Sequence, residues 1–247
     1  MKFKDHFSGH AADYANFRPG YTEALYRWLA QLVPAAQLIW ECGCGNGQAA
    51  RRLAEYFPRV IATDASAQQI DRAHGPANIE FRVSPAENCG LDDASVDLVC
   101  VAQALHWFDA EAFYAEVRRV ARPGAVLVVW MYGSARVDGV DERIIRDFEQ
   151  KKVGPYWPPE RIWIDQAYAN VRLPGNSIVA PSFDMALQWP LAALLGYVGS
   201  WSATHRYNVA TGEDPIPGFG RRLEREWGDP ALPRTISWPM NVLASRM

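Results

Sequence analysis

No sign of charge dominates this sequence. It holds 25 lysines and arginines against 28 aspartates and glutamates, a net charge of -3, so no basic face for a nucleic acid is expected. The doubled arginines Arg51-Arg52, Arg118-Arg119 and Arg221-Arg222 are short, scattered pairs and read as solvated helix faces. No apolar run reaches the roughly 20 residues of a membrane span. The longest, AVLVVWMYG from Ala125, fits a buried strand instead. The N-terminal MKFKDHFSGHAADY lacks an apolar signal-peptide core, so a cytoplasmic protein is expected. Cysteine is scarce: Cys42, Cys44, Cys89 and Cys100, all in the first half. The C-x-C at Cys42 has no downstream partner pair, so no metal site is expected. Small buried thiols in a reducing compartment are the plainer reading.

Apolar residues, in contrast, make up 49% of the 247 residues. That is enough for one large core, with or without a cap. Leu25, Trp28, Leu29 and Leu32 have helical spacing. LIWEC reads as a buried strand running into a glycine-rich loop. QAARRLAEYF reads as a helix with Ala49, Leu53 and Phe57 on one face, and RVIATD as a strand ending in Asp64. SAQQIDRA is a short helix with Ser66 as N-cap. IEFRV is a third strand, and VDLVCVA a fourth, apolar on both faces as in a central parallel strand. AEAFYAEVRRVA is a helix with Phe113, Val117 and Val120 inward; RPG breaks it, and AVLVVWM is a fifth strand. This alternation predicts a doubly wound parallel α/β sheet over Leu38 to Met131.

The texture changes after Tyr132. Residues 133–180 are rich in Pro, Gly and aromatics and read as a helical, loop-rich cap. FDMALQWP and RTISWPMNVL read as two late strands flanking a helical stretch, LAALLGYVGSWSATHRY. The expected organisation is one domain over 1–247. It has an N-terminal helical lid at 1–37, a ligand-binding core at 38–131, and cap elements on the substrate side at 133–180 and 190–210.

The loop at the end of the first strand places Gly43, Gly45 and Gly47 within five positions. Glycines let a backbone turn sharply and approach a ligand closely. Asp64 follows 21 positions after Gly43, where an acid at the end of the next strand accepts both hydroxyls of a ribose. Gln48 stands where a dinucleotide fingerprint has its third glycine, and no Gly-Lys-Ser/Thr follows for a P-loop.

The segments ECGCGNGQAARRLA, VIATDASAQQI, FRVSPAENCGLDDASVDLVCVAQALHWFD and VRRVARPGAVLVVW resemble successive motifs of the class I S-adenosylmethionine-dependent methyltransferases. Within them the chain is similar to the small-molecule type 11 branch, including proteins like trans-aconitate methyltransferase. The resemblance implies a Rossmann-like seven-stranded sheet, mostly parallel with the last strand antiparallel, under a helical cap. It implies S-adenosylmethionine as cofactor and S-adenosylhomocysteine as product. Gly43, Gly45, Asn46 and Gly47 would meet the cofactor's methionine and ribose, Glu41 its amino group, and Asp64 the ribose hydroxyls. Ala65, Ala86 and Glu87 would face the adenine, and Gln103 would lie near the sulfonium. Many relatives carry an acid where this chain has Pro85, which puts an adenine contact there in doubt and turns attention to Ser84 or Glu87.

Tyr14 and Arg18, in DYANFRPGY, match a similar pattern in relatives. Arg18 would grip the cofactor's carboxylate or a substrate acid, or else a surface acid. His106 follows the fourth strand and is either a general base or a pocket wall. A carboxylate acceptor is already ionised near neutral pH and needs no base. Trp107, Tyr197 and Trp201 are candidates for the acceptor pocket, although an aromatic stripe is more often core. The expected partner is a small-molecule methyl acceptor, a carboxylate being one candidate, with neither nucleic acid nor membrane, in a monomer or homodimer. Two rival readings are a cofactor-binding module without turnover and a nicotinamide-dependent reductase, against which Gln48 argues.

Overall fold

The computed structural model of the chain describes residues 19–247. Five strands form where the apolar runs lie: β1 (Ile39–Cys42), β2 (Val60–Asp64), β3 (Ile79–Val83), β4 (Val96–Ala102) and β5 (Ala121–Tyr132). β1 is buried along its whole length, because helices cover both faces of the sheet. Pairing is parallel throughout this half: Ile39 stands opposite Val60 on one side and Leu98 on the other, and Leu98 opposite Val126. The order is β3-β2-β1-β4-β5. It reverses between β1 and β4, so the loops leaving those two strands part and leave a crevice at their carboxyl ends.

Alternate residues of the strands feed two cores. On one face Ile39, Leu98, Val126 and Val128 meet Leu25 and Leu29 of α1 (Glu23–Leu32) and Ala49 and Leu53 of α2 (Gln48–Leu53). On the other, Trp40, Val99, Leu127 and Val129 meet Phe113, Val117 and Val120 of α4 (Ala110–Val120). Each of those three α4 side chains is fully buried, which stabilises the fold by about 1.5–3 kcal/mol apiece. Ser66 caps α3 (Ala67–Ile70) by accepting from the Gln69 N–H, as expected. Asp109 does the same for α4 through the Ala112 N–H.

The remaining strands are β6 (Arg136–Val137), β7 (Asn176–Ile178), β8 (Asp184–Trp189) and β9 (Arg234–Arg246). β9 has 13 residues, and its halves do different work. Residues 240–246 run antiparallel to β5, with β7 on their far side at 244–246. The main sheet is thus β3-β2-β1-β4-β5-β9-β7, seven strands with the last in sequence antiparallel to β5. Residues 234–239 leave that sheet and form an antiparallel ribbon with β8 and β6.

The ribbon carries a third core. Met185, Ile236 and Trp238 pack with side chains from α5 (Glu142–Asp147), α7 (Leu191–Gly199), α8 (Ser202–Thr211) and α9 (Ile216–Trp227). α9 was not read from the sequence, although Phe219, Leu223 and Trp227 recur every fourth residue and are buried. The helical stretch expected after β8 is divided into α7 and α8. Ser200 Oγ donates to the Tyr197 carbonyl and Thr204 Oγ1 to that of Val198, so hydroxyls satisfy the last carbonyls of α7 and end it. β5 begins at Ala121, before the RPG rather than after it, and takes up a register shift between Val96 and Leu98. Among the described residues no helix is long and apolar enough to cross a membrane.

Candidate functional site

The crevice at the switch point is bordered by the glycine loop. The Gly43 and Cys44 N–H groups both donate to the Thr63 carbonyl, at 2.8 and 2.9 Å, which folds the loop over the end of β2. Gly43, Gly45 and Gly47 all have positive φ, yet their surroundings differ. A Cβ at Gly43 would lie 2.6 Å from that of Ala104, and one at Gly47 2.6 Å from the Phe81 ring. Among the described residues a Cβ at Gly45 would meet only Gln69 Oε1, at 3.9 Å. Two of the glycines therefore serve the protein's own packing, and Gly45 faces open space. The Asn46 carbonyl accepts from Arg51 Nη1, which braces the turn.

Asp64 does more than end a strand. Its Oδ2 accepts from the Gly45 N–H and its Oδ1 from the Ser66 N–H, both at 2.8 Å. Ala65 lies half-buried between these ties, and Ala86 is buried after β3. Glu87 accepts the Asp109 N–H through Oε1, which links the β3 and β4 loops. Ser84 Oγ donates to the Asn88 carbonyl within the Pro85 turn. Gln48, at the start of α2 where a dinucleotide fingerprint has its third glycine, donates through Nε2 to the Pro19 carbonyl. Tyr14 and Arg18 lie outside the described residues.

Glu41 is 1% exposed, and its Oε2 has no hydrogen-bond partner. Burial pushes its carboxyl up to about 8, against an opposing hydrogen bond from the Ala50 N–H. A carboxyl so placed holds its proton near neutral pH unless a cation comes beside it.

Beyond the end of β4, Gln103, His106, Trp107, Tyr197 and Trp201 line one cavity of about 90 Å³. These residues come from the core and from the cap, and the fold brings them together. Tyr197 and Trp201 meet edge to face at 5.6 Å and belong to the cap's core as well as to the cavity wall. His106 stands on a turn of 3-10 helix, Leu105–Trp107, its ring 4.6 Å from that of Trp107. Its Nδ1 is 2.9 Å from the Tyr168 hydroxyl. Burial pushes its imidazolium down to about 3, and the charge of Arg161 adds to the shift. A neutral imidazole that weakly basic is a poor proton acceptor at pH 7, so the geometry favours the wall over the base.

Among the lining residues missed from the sequence are Tyr132, Glu149, Trp157 and Arg161. Arg161 lies on α6 (Arg161–Asp165), stacks on the Trp157 ring at 4.3 Å and pairs with Glu149 and Asp165. Its only sequence signal was an arginine four residues before an aspartate in an aromatic stretch. A larger cavity, about 560 Å³, lies between the cap and β9 and shares Glu149 and Arg161 with the first. It holds none of the residues expected at the site, so the smaller cavity is the better candidate.

Known proteins are similar to this chain in sequence and in fold. Residues 40–129 match a family model described as a methyltransferase domain. A protein of Dictyostelium discoideum named as a methyltransferase is 31% identical over 253 residues, covering 99% of this chain and 96% of that one. The chain belongs to the class I S-adenosylmethionine-dependent methyltransferases. A solved structure from Anaeromyxobacter dehalogenans, described as a type II methyltransferase, is similar over 93% of this chain and 98% of its own, at 41% identity and a TM-score of 0.87. A phosphoethanolamine N-methyltransferase of Haemonchus contortus shares the fold alone, at 16% identity and a TM-score of 0.52, over the whole of this chain and 60% of its own. As a methyltransferase of this class the chain uses S-adenosylmethionine, and the glycine loop and Glu41 lie at the crevice where the fold receives a ligand.

Proposed function

We propose that this methyltransferase transfers a methyl group to a small molecule seated in the aromatic cavity beyond β4. The observation that carries the reading is the convergence of Gln103, His106, Trp107, Tyr197 and Trp201 on one cavity next to the switch point. S-adenosylmethionine supplies an electrophilic methyl on a good leaving group, so the protein's task is alignment and exclusion of water.

The residues present fit that cofactor. The open side of Gly45 leaves room for a ligand against the backbone. Glu41 would ionise beside the cofactor's amino group and lose its unpartnered state. Asp64, at the end of β2 beside the glycine loop, would accept the ribose hydroxyls. Ala65 and Ala86 would flank the adenine, with Glu87 or Ser84 at its edge. By the family resemblance Arg18 would hold the cofactor's carboxylate or a substrate acid, with Tyr14 also among the cofactor-binding residues; both lie outside the described residues. We read 133–180 and 190–210 as the cap on the acceptor side. Among the described residues the carboxylate acceptor finds little support, because Arg161, the cation that lines the cavity there, is already held by Glu149 and Asp165.

Calorimetry with S-adenosylmethionine and release of S-adenosylhomocysteine across a panel of amines, acids and phenols test the reading together. Trp201→Ala is expected to lower turnover and leave cofactor affinity in place. Binding without turnover on every acceptor would favour the inactive module instead.

A further inference from the structure

Gln103 is held from two sides. Its backbone N–H donates to the Trp130 carbonyl at 2.9 Å, and its side-chain Nε2 donates to the Tyr132 carbonyl at 3.1 Å. Its φ is +54°, a conformation that a residue other than glycine rarely adopts. Such strain persists where the surroundings over-determine it, and it clusters at functional sites. The consequence is a fixed amide. Nε2 is turned to Tyr132, and Oε1 is left buried with no partner, on a residue that lines the cavity. A carbonyl oxygen can only accept, so the orphan atom calls for a donor.

We propose that Gln103 Oε1 accepts a hydrogen bond from the acceptor nucleophile itself, and that this nucleophile is the nitrogen of a primary or secondary amine. The inference rests on reading this cavity as the acceptor site. An ionised carboxylate offers no hydrogen and would set one acceptor oxygen against another. A hydroxyl would supply the hydrogen but must shed it to become a good nucleophile. Among the described residues the cavity has no free base for that: His106 is a poor proton acceptor, and Glu149 is held by Arg161. An amine needs only its lone pair. Tyr132, Trp157, Tyr197 and Trp201 also give the cavity aromatic faces, which attract the cationic form on entry.

The step balances without a further reactant. An alkylammonium first gives one proton to water. The neutral nitrogen's lone pair then forms the new N–C bond while the C–S bond breaks, its electron pair remaining on sulfur. The positive charge passes from sulfur to nitrogen, and the methylated ammonium keeps its N–H or returns a proton to water. Oε1 orients the lone pair towards the methyl and steadies the charge that grows on the N–H.

The test pairs acceptors of like shape that end in an amine or a carboxylate, and follows S-adenosylhomocysteine release. Wild type is expected to methylate amines and not the matched acids. In Gln103→Met, kcat/KM for amines falls by about 10- to 100-fold while calorimetric affinity for S-adenosylhomocysteine stays within about threefold. Gln103→Gly, which relieves the positive φ, gives the same split if the Met variant does not fold. Preference for acids overturns the inference and leaves the proposed function standing. Equal loss of cofactor affinity in the variants also overturns it, because Oε1 would then serve the cofactor. So does a wild type that binds cofactor but methylates no amine. A wild type that binds no S-adenosylmethionine would overturn the proposed function as well.

Discussion

Asp64 accepts the backbone N–H of Gly45 at 2.8 Å, so the acid expected to hold a ribose also holds the loop beside it. Removing its carboxylate takes away two backbone ties as well as any ligand contact. Asp64→Ala is therefore expected to lower stability by about 1–3 kcal/mol and to weaken S-adenosylmethionine binding by on the order of 100-fold. Asp64→Asn, which keeps one acceptor oxygen, recovers part of the stability and little of the affinity. Thermal unfolding and calorimetry on both variants separate the two roles. Full affinity in a folded Asp64→Ala protein would take Asp64 out of the site.

The three glycines are expected to fail in different ways. Gly43→Ala and Gly47→Ala put a Cβ 2.6 Å from fixed neighbours and lose stability by about 2 kcal/mol or more. Gly45→Ala has room and costs about 1 kcal/mol for its φ of +55°, but it intrudes on the ligand side. Denaturant midpoints rank the first effect and cofactor titration the second. Unimpaired cofactor binding by Gly45→Ala would contradict the close-approach argument.

Glu41 makes the stability of the ligand-free protein depend on pH. Its native pKa of about 8 lies above the ordinary carboxylate value of 4.5. Between these values the native state holds a proton that the unfolded chain has released. Stability from this group is fully present below pH 4.5 and is lost as pH rises through 8, by about 1.4 kcal/mol per unit at most. Glu41→Gln should flatten that slope. Binding of the cationic cofactor should ionise Glu41, so calorimetry in buffers of different ionisation enthalpy is expected to report proton release near pH 7, absent in the variant. Equal proton counts for the two proteins would place Glu41 away from the cofactor's charge.

His106 is expected to stay neutral wherever the enzyme works. Its imidazolium is held down to about 3 from an ordinary value of 6.5. Between 6.5 and 3 the unfolded chain takes up a proton that the native state refuses, so this group lowers stability as pH falls. Activity should show no inflection near pH 6.5 attributable to His106, and His106→Ala should keep a measurable rate. A loss of activity below pH about 6.5 that vanishes in His106→Ala would make it a titrating base after all.

The sequence by itself determined the parallel core, the glycine loop and the position of Asp64. Each of these depends on neighbours within a few residues: apolar runs long enough for strands, a turn that only positive φ permits, and an acid at a strand end. Local pattern also marked the aromatic candidates Trp107, Tyr197 and Trp201. Only the tertiary structure decided which glycine is open, because the atoms crowding Gly43 and Gly47 belong to Ala104 and Phe81, distant in the chain. It alone brought His106 to the Tyr168 hydroxyl across 62 residues, with Tyr168 buried and His106 half-buried, a setting that disfavours the imidazolium. Likewise Arg161 and Glu149 became cavity residues because the cap folds back over the end of β4, a long-range contact that no periodicity records. Local propensity writes the elements. Burial and through-space charge, which set pKa values and leave Gln103 Oε1 without a partner, exist only once distant segments exclude water together.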